Sequence, residues 1–182
     1  MTKSKPFQTK DLVLMGAFVA VITICSWISV PLTIPFTLQT FAVFTTVALL
    51  GTRNGTLCVC TYVLLGALGI PVFSKFQGGL GALLGPTGGY IMGFIFSALV
   101  TGYLIDKLGR SKKALFFAMF MGLIVCYAFG TAWFVLVYTK TTEAISITTA
   151  LSWCVIPYIV PDLAKITAAL MLVKRMYPHI SN

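Results

Sequence analysis

The chain has 182 residues, 58% of them hydrophobic and 9% charged, with a formal net charge of +9. A soluble domain carries ~25% charged residues, so this composition excludes a water-soluble globule and leaves an integral membrane protein with room for about six helices. The positive balance does not indicate nucleic acid, because the basic residues gather at the ends of apolar runs rather than along one stripe.

Charge-free runs give the predicted spans in order. Lys3, Lys5 and Lys10 precede the first run, as in a signal peptide. The apolar stretch that follows is longer than the ~7–15 residues of a signal core and lacks a small-residue cleavage site, so a retained helix is expected over residues 12–29. It stops at Val30-Pro-Leu-Thr-Ile-Pro35, where two prolines enforce an extended turn. A second helix is expected over 36–50, a tight turn at Gly51-Thr-Arg-Asn-Gly55, and a third helix over 55–69. The stretch from Ile70 to Gly85 is too rich in glycine for stable helix and is expected to be a loop. A fourth helix is expected over 86–105, a fifth over 114–138 and a sixth over 147–173. Together they make one all-α transmembrane domain over residues 1–182.

Six crossings put both termini on one side. Lys3, Lys5, Lys10, Arg53, Lys107, Arg110, Lys112, Lys113, Lys174 and Arg175 then share a face, against Lys75 and Lys140 on the other. The positive-inside rule makes the richer face, and with it both termini, cytoplasmic. The five cysteines fall inside apolar runs, and Cys58-Val-Cys60 lacks the spacing of a redox or zinc motif, so buried free thiols are expected.

Two charges break the apolar pattern. Asp162 and Lys165 lie in the last span, nine and twelve residues from Lys174 for the lysine and aspartate respectively. That places them roughly 14 and 18 Å from the inner boundary, in the middle to outer half of a ~30 Å core. A charge at that depth costs ~2.5–3.5 kcal/mol even on insertion scales, so the two are expected to pair in a protected interior. Three residues apart on a helix, they share a face. Pro157 and Pro161 are expected to break the backbone ladder at the same level. A structural ion pair between helices is the competing reading.

Other polar groups converge on this level: Thr37, Gln39 and Thr40 at the start of the second helix, Thr87, Gly88 and Tyr90 at the start of the fourth, Trp133 and Tyr138 late in the fifth. They lie beneath the glycine-rich connection, which carries Phe73. The arrangement predicts a small-molecule pocket that opens outward. Gly85-Pro-Thr-Gly-Gly-Tyr90 could in isolation hold a phosphate, but it lacks the Lys-Ser/Thr ending of a phosphate loop and reads equally as a close-packed hinge. Tyr138 also suits an interfacial anchor. Gly16 and Ala20 form a small-xxx-small face on the first helix. No zinc-protease, serine-hydrolase or nucleotide-binding motif is present, and no catalytic residue, metal site or cofactor is assigned.

Four strings together carry a family resemblance. They are Val30-Pro-Leu-Thr-Ile-Pro-Phe-Thr-Leu-Gln39, the run from Gly78 through Leu84-Gly-Pro-Thr-Gly-Gly-Tyr90, Phe129-Gly-Thr-Ala-Trp133, and Pro157-Tyr-Ile-Val-Pro-Asp-Leu-Ala-Lys165. In this order and spacing the chain resembles the biotin-binding substrate component of energy-coupling factor vitamin transporters over essentially its whole length. It departs from the family pattern at Pro161, where a glycine is usual. The resemblance implies a six-helix protein of the bacterial plasma membrane that captures biotin from outside. It further implies a transmembrane coupling subunit and two cytoplasmic ATPases as partners. Asp162 would accept from the ureido N–H groups, Lys165 would hold Asp162 ionised and donate to the ligand, and Trp133 and Tyr90 would pack on the rings, with Gln39 and Thr87 completing hydrogen bonds. Gly16 and Ala20 would dock the coupling subunit. The rivals are a membrane-embedded enzyme using Asp162 as general base and a substrate component for another vitamin, such as thiamine or riboflavin.

Overall fold

A computed structural model describes residues 8–30, 35–142 and 144–180. These residues are all-α apart from one ribbon of two strands, each of two residues. Helix α1 (Thr9–Trp27) starts at a reciprocal cap in which Asp11 accepts from the Gln8 backbone N–H at 3.1 Å. Beyond it, Ser29–Val30 pairs antiparallel with Phe36–Thr37. The proline turn expected between them, residues 31–34, lies outside the described residues.

Helix α2 (Gln39–Ala67) is interrupted by Gly51, whose φ of 81° and ψ of 174° suit only glycine. The chain folds back there. Gln39 and Tyr62 would stand about 35 Å apart on a straight helix, yet their side chains meet at 2.6 Å. The arms, residues 39–50 and 52–67, pack so closely that a Cβ on Gly55 would lie 2.7 Å from the Val47 Cα. The expected second and third helices are therefore present, but the reversal is made at Gly51 and residues 52–55 are already helical.

The glycine-rich connection is more ordered than expected. It holds a 3₁₀ turn at Ser74–Phe76 and a short helix α3 (Leu80–Leu84). The Val72 carbonyl accepts from the hydroxyls of Ser26 at 2.5 Å and Tyr62 at 3.0 Å, and the Trp27 indole donates to the Pro71 carbonyl at 2.9 Å. These bonds satisfy backbone groups that the irregular chain cannot pair for itself.

Helices α4 (Gly88–Leu108) and α5 (Lys112–Thr141) form the tightest pair, joined through Gly109 at φ 78° and the Ser111 cap. The start of α4 falls at Gly88 rather than Pro86, and α5 runs longer than 114–138. The expected sixth helix is two: α6 (Ile147–Cys154) and α7 (Ile156–Ile180). Pro157 has no N–H to give the Trp153 carbonyl, so the ladder fails at Val155 and a new helix begins with Pro157 in its first turn. Pro161, expected to break the backbone as well, is carried inside α7.

The surface is apolar and the interior is polar at one level. Leu12, Val13, Leu64, Leu136 and Val160 face outward, whereas Asp162, Lys165, Gln39 and Thr37 are buried. Among the described residues, five elements are long and apolar enough to cross a membrane: α1, α2, α4, α5 and residues Ile156–His179 of α7. One end of the bundle is basic. There the Arg110 guanidinium donates to the Ala48 carbonyl and lies 3.9 Å from the Tyr177 ring, Lys174 donates to the Arg110 carbonyl at 2.6 Å, and the Thr52 hydroxyl donates to Asp106 at 2.6 Å. The α2 reversal, the α4–α5 turn and the end of α7 are thus tied together at the end opposite the glycine-rich connection.

Candidate functional site

Asp162 and Lys165 form a buried ion pair at 2.8 Å, with 4% and 8% of their surfaces exposed. Pairing alone does not repay the desolvation of two ions, and further hydrogen bonds are required. They are present. The Thr40 hydroxyl, from the first arm of α2, donates to Asp162 Oδ1 at 3.1 Å. The Tyr127 hydroxyl, from α5, donates to Oδ2 at 2.5 Å. The Lys165 ammonium lies 3.9 Å from the centroid of the Phe36 ring, a second source of stabilisation in a dry setting. Two further helices and the ribbon thus converge on one ion pair, α2 and α5 at the carboxylate and the ribbon at the ammonium.

Above the pair is a cavity of about 80 Å³. Phe36, Tyr90, Phe94 and Tyr158 give it aromatic walls, and Thr37, Gln39, Thr40, Thr87, Asp162 and Lys165 supply polar atoms. Gln39 is fixed at both ends of its amide: it accepts from Thr37 at 3.0 Å and donates to Tyr62 at 2.6 Å, which in turn donates to Val72. A relay of hydrogen bonds therefore connects the cavity floor to the outer connection. A second cavity of about 210 Å³ lies against it, with Pro35, Ser74, Thr87 and Ile91 as a common wall.

An ionised carboxylate offers about four lone-pair sites. Lys165, Thr40 and Tyr127 take three, which leaves about one for a ligand donor. The Lys165 ammonium has three donors, of which Asp162 takes one. The site can therefore accept from and donate to a small polar group held between aromatic faces. That is binding chemistry: Asp162 is already clamped by donors, a poor state for a general base.

Five expected site residues meet here: Asp162, Lys165, Gln39, Thr87 and Tyr90. The Tyr90 hydroxyl points away, to Thr131 at 2.8 Å, so the residue presents its ring. Four others sit elsewhere. Gly88 packs against the Leu83 carbonyl, where a Cβ would collide. Trp133, expected to face the ligand rings, donates its indole N–H to the Gly85 carbonyl at 3.0 Å and packs on Gly89. Tyr138 stacks on Phe134 at 5.2 Å and meets Trp153 edge-on at 6.2 Å. Phe73 lines the outer cavity and buries its ring against Gly66 and Tyr62.

Tyr127, Phe36 and Tyr158 escaped the sequence reading. Tyr127 had one legible signal: a hydroxyl inside an otherwise apolar span, at a depth where a buried carboxylate needs a donor. Phe36 and Tyr158 had none, since aromatic residues are ordinary in such runs. The small-residue face of α1 lies on the outer surface. Gly16 and Ala20 are exposed, and nothing comes within 4 Å of where a Gly16 Cβ would sit.

The profile of the BioY family matches residues 1–182. The chain is 43% identical to the biotin transporter BioY of Thermotoga maritima over 92% of its own length and 95% of that protein. It is 36% identical to a probable biotin transporter BioY of Pyrococcus horikoshii, covering 93% of this chain and 97% of that one. Among solved structures, the S-component for biotin from an ECF-type ABC transporter superposes with a TM-score of 0.84 at 23% identity, over 94% of each chain. That last likeness establishes the fold.

Proposed function

The chain belongs to the BioY family, and from that premise we propose that it binds biotin from the outer side of the bacterial plasma membrane as the substrate component of an energy-coupling factor transporter. The observation that carries the reading is the Asp162–Lys165 pair at the floor of an aromatic-walled cavity. Biotin's ureido group offers two N–H donors and one carbonyl acceptor. Asp162 takes an N–H, Lys165 donates to the carbonyl oxygen, and the aromatic walls of Phe36, Tyr90 and Tyr158 pack on the fused rings. Gln39 and Thr87 complete the polar lining.

The chain acts as a single transmembrane domain of six crossings, the two arms of α2 counting as one each, with both termini cytoplasmic. The basic end of the bundle supports this orientation. The sequence carries no nucleotide-binding motif, and ATP acts through a transmembrane coupling subunit and two cytoplasmic ATPases. The exposed Gly16–Ala20 face of α1 is the docking surface for the coupling subunit. Capture proceeds without chemical turnover.

The test is a ligand screen of the purified chain in detergent by calorimetry. Biotin should bind tightly and be recovered unchanged, while thiamine and riboflavin should not compete. Tight binding of another vitamin, or conversion of any ligand, would refute the reading.

A further inference from the structure

The outer cavity contains a cation that the site described so far does not use. Lys75 lines it, next to the common wall with the deep cavity. The described acids lie elsewhere: Asp11 caps α1, Asp106 accepts from Thr52 at the opposite end, and Asp162 is held by Lys165. Lys75 therefore forms no ion pair among the described residues.

Its backbone is unusual as well. Lys75 has φ 56° and ψ 29°, and Phe76 follows at φ 57°. Two consecutive left-handed residues with β-carbons are uncommon, and strain of this kind persists only where the surroundings enforce it. Here the Phe73 N–H donates to the Gln77 carbonyl at 2.9 Å across the turn, and the Phe76 ring packs on Trp27 at 4.9 Å. The turn is thus held with a lysine on the cavity wall, where glycine or asparagine would cost less.

The deep end has no place for a second negative charge. Asp162 already balances the charge of Lys165, whose remaining donors serve a neutral acceptor, and a further carboxylate beside that pair would be repelled by Asp162. A ligand with a polar ring and a carboxylate tail must therefore point the tail outward. Building on the biotin reading, we propose that Lys75 receives the ligand's terminal carboxylate at the outer end of the site and sets a preference for the free acid over uncharged derivatives.

The experiment compares biotin with biotin amide, whose tail is uncharged, on the full chain in a neutral detergent. Lys75→Asn removes the charge with a residue that tolerates the left-handed region, and Lys75→Arg keeps it. The wild type should prefer the acid by about two- to fivefold, the range of a solvent-accessible ion pair. In Lys75→Asn the acid should fall to the affinity of the amide, with the amide unchanged, and Lys75→Arg should restore the preference. Rising salt should erode the preference in the wild type and leave the asparagine variant unaffected. A preserved acid-to-amide ratio in Lys75→Asn would overturn the assignment and leave Lys75 a headgroup contact. Equal weakening of both ligands would overturn it too, because the lysine would then matter for the shape of the turn. Failure of the wild type to bind either compound would refute the biotin reading itself, and this inference with it.

Discussion

The Tyr127 hydroxyl donates to Asp162 Oδ2 at 2.5 Å, joining α5 to α7 across 35 residues of sequence. With Thr40 on the other oxygen and Lys165 three residues along, it converts a costly buried charge into a fixed acceptor. A carboxylate held this way does not have to reorganise when a ligand arrives, and pre-organisation of this sort favours affinity.

Replacing Asp162 with asparagine should weaken biotin binding by about ten- to a hundredfold, since hydrogen bonds to charged groups contribute ~1.5–3 kcal/mol. It also leaves Lys165 buried without its counter-ion, so thermal stability in detergent should fall. Affinity equal to wild type in a folded variant would remove Asp162 from the site.

Tyr127→Phe deletes one hydroxyl and little volume. Loss of a bond to a buried carboxylate should lower stability by about 1–3 kcal/mol, read as a drop in Tm, and should reduce biotin affinity. If neither quantity moves, the contact with Asp162 is not made in solution.

Gly51→Ala should destabilise the chain by ~1–3 kcal/mol, because the backbone there adopts a conformation essentially reserved for glycine. Gly55→Leu should be worse, because its side chain would enter the Val47 backbone and force the arms apart. Since the arms carry Thr40, Gln39 and Tyr62, biotin binding should be lost with the fold. A Gly55→Leu protein of normal stability would show that the arms do not pack as described.

Substituting leucine at both Gly16 and Ala20 should abolish co-purification with the coupling subunit and ATP-driven uptake. Biotin binding by the isolated chain should persist, because both positions lie on the outer surface and away from the cavity. Retained co-purification would place the docking surface elsewhere.

Hydrogen exchange should divide the outer connection in two. The amides of Val72 and Phe73 should be protected with or without biotin, since they donate to the Ile70 and Gln77 carbonyls at 2.7 and 2.9 Å in a segment whose own carbonyls are tied to Ser26, Trp27 and Tyr62. Residues 80–87 hold only a one-turn helix, anchored to α5 through the Trp133 indole on the Gly85 carbonyl, and their amides should gain protection on binding. Uniform exchange across both stretches, unchanged by ligand, would contradict this division.

The amino-acid sequence by itself determined the class of protein, the approximate spans and the pair at the heart of the site. Hydrophobic length and the position of Asp162 and Lys165 are one-dimensional facts, and the bilayer's intolerance of bare charge gives them meaning. Even the reversal at Gly51 was legible, because glycine and polar residues interrupt an apolar run there. The tertiary structure alone decided which aromatic groups face the pair. Trp133 and Tyr127 lie six residues apart on the same helix, and depth in the span together with the family resemblance pointed to the tryptophan as the pocket residue. Packing reversed that order: Gly89 admits the indole against α4, where it holds Gly85, while the Tyr127 hydroxyl reaches Asp162 on α7. Likewise, a proline pattern marks a weak ladder without saying where it fails. The break fell at Val155 and not at Pro161, since Pro157 can occupy a first turn and α7 absorbs the second proline. Rotational setting and helix contacts are three-dimensional quantities, fixed by how neighbouring side chains fill space, and no single span encodes them.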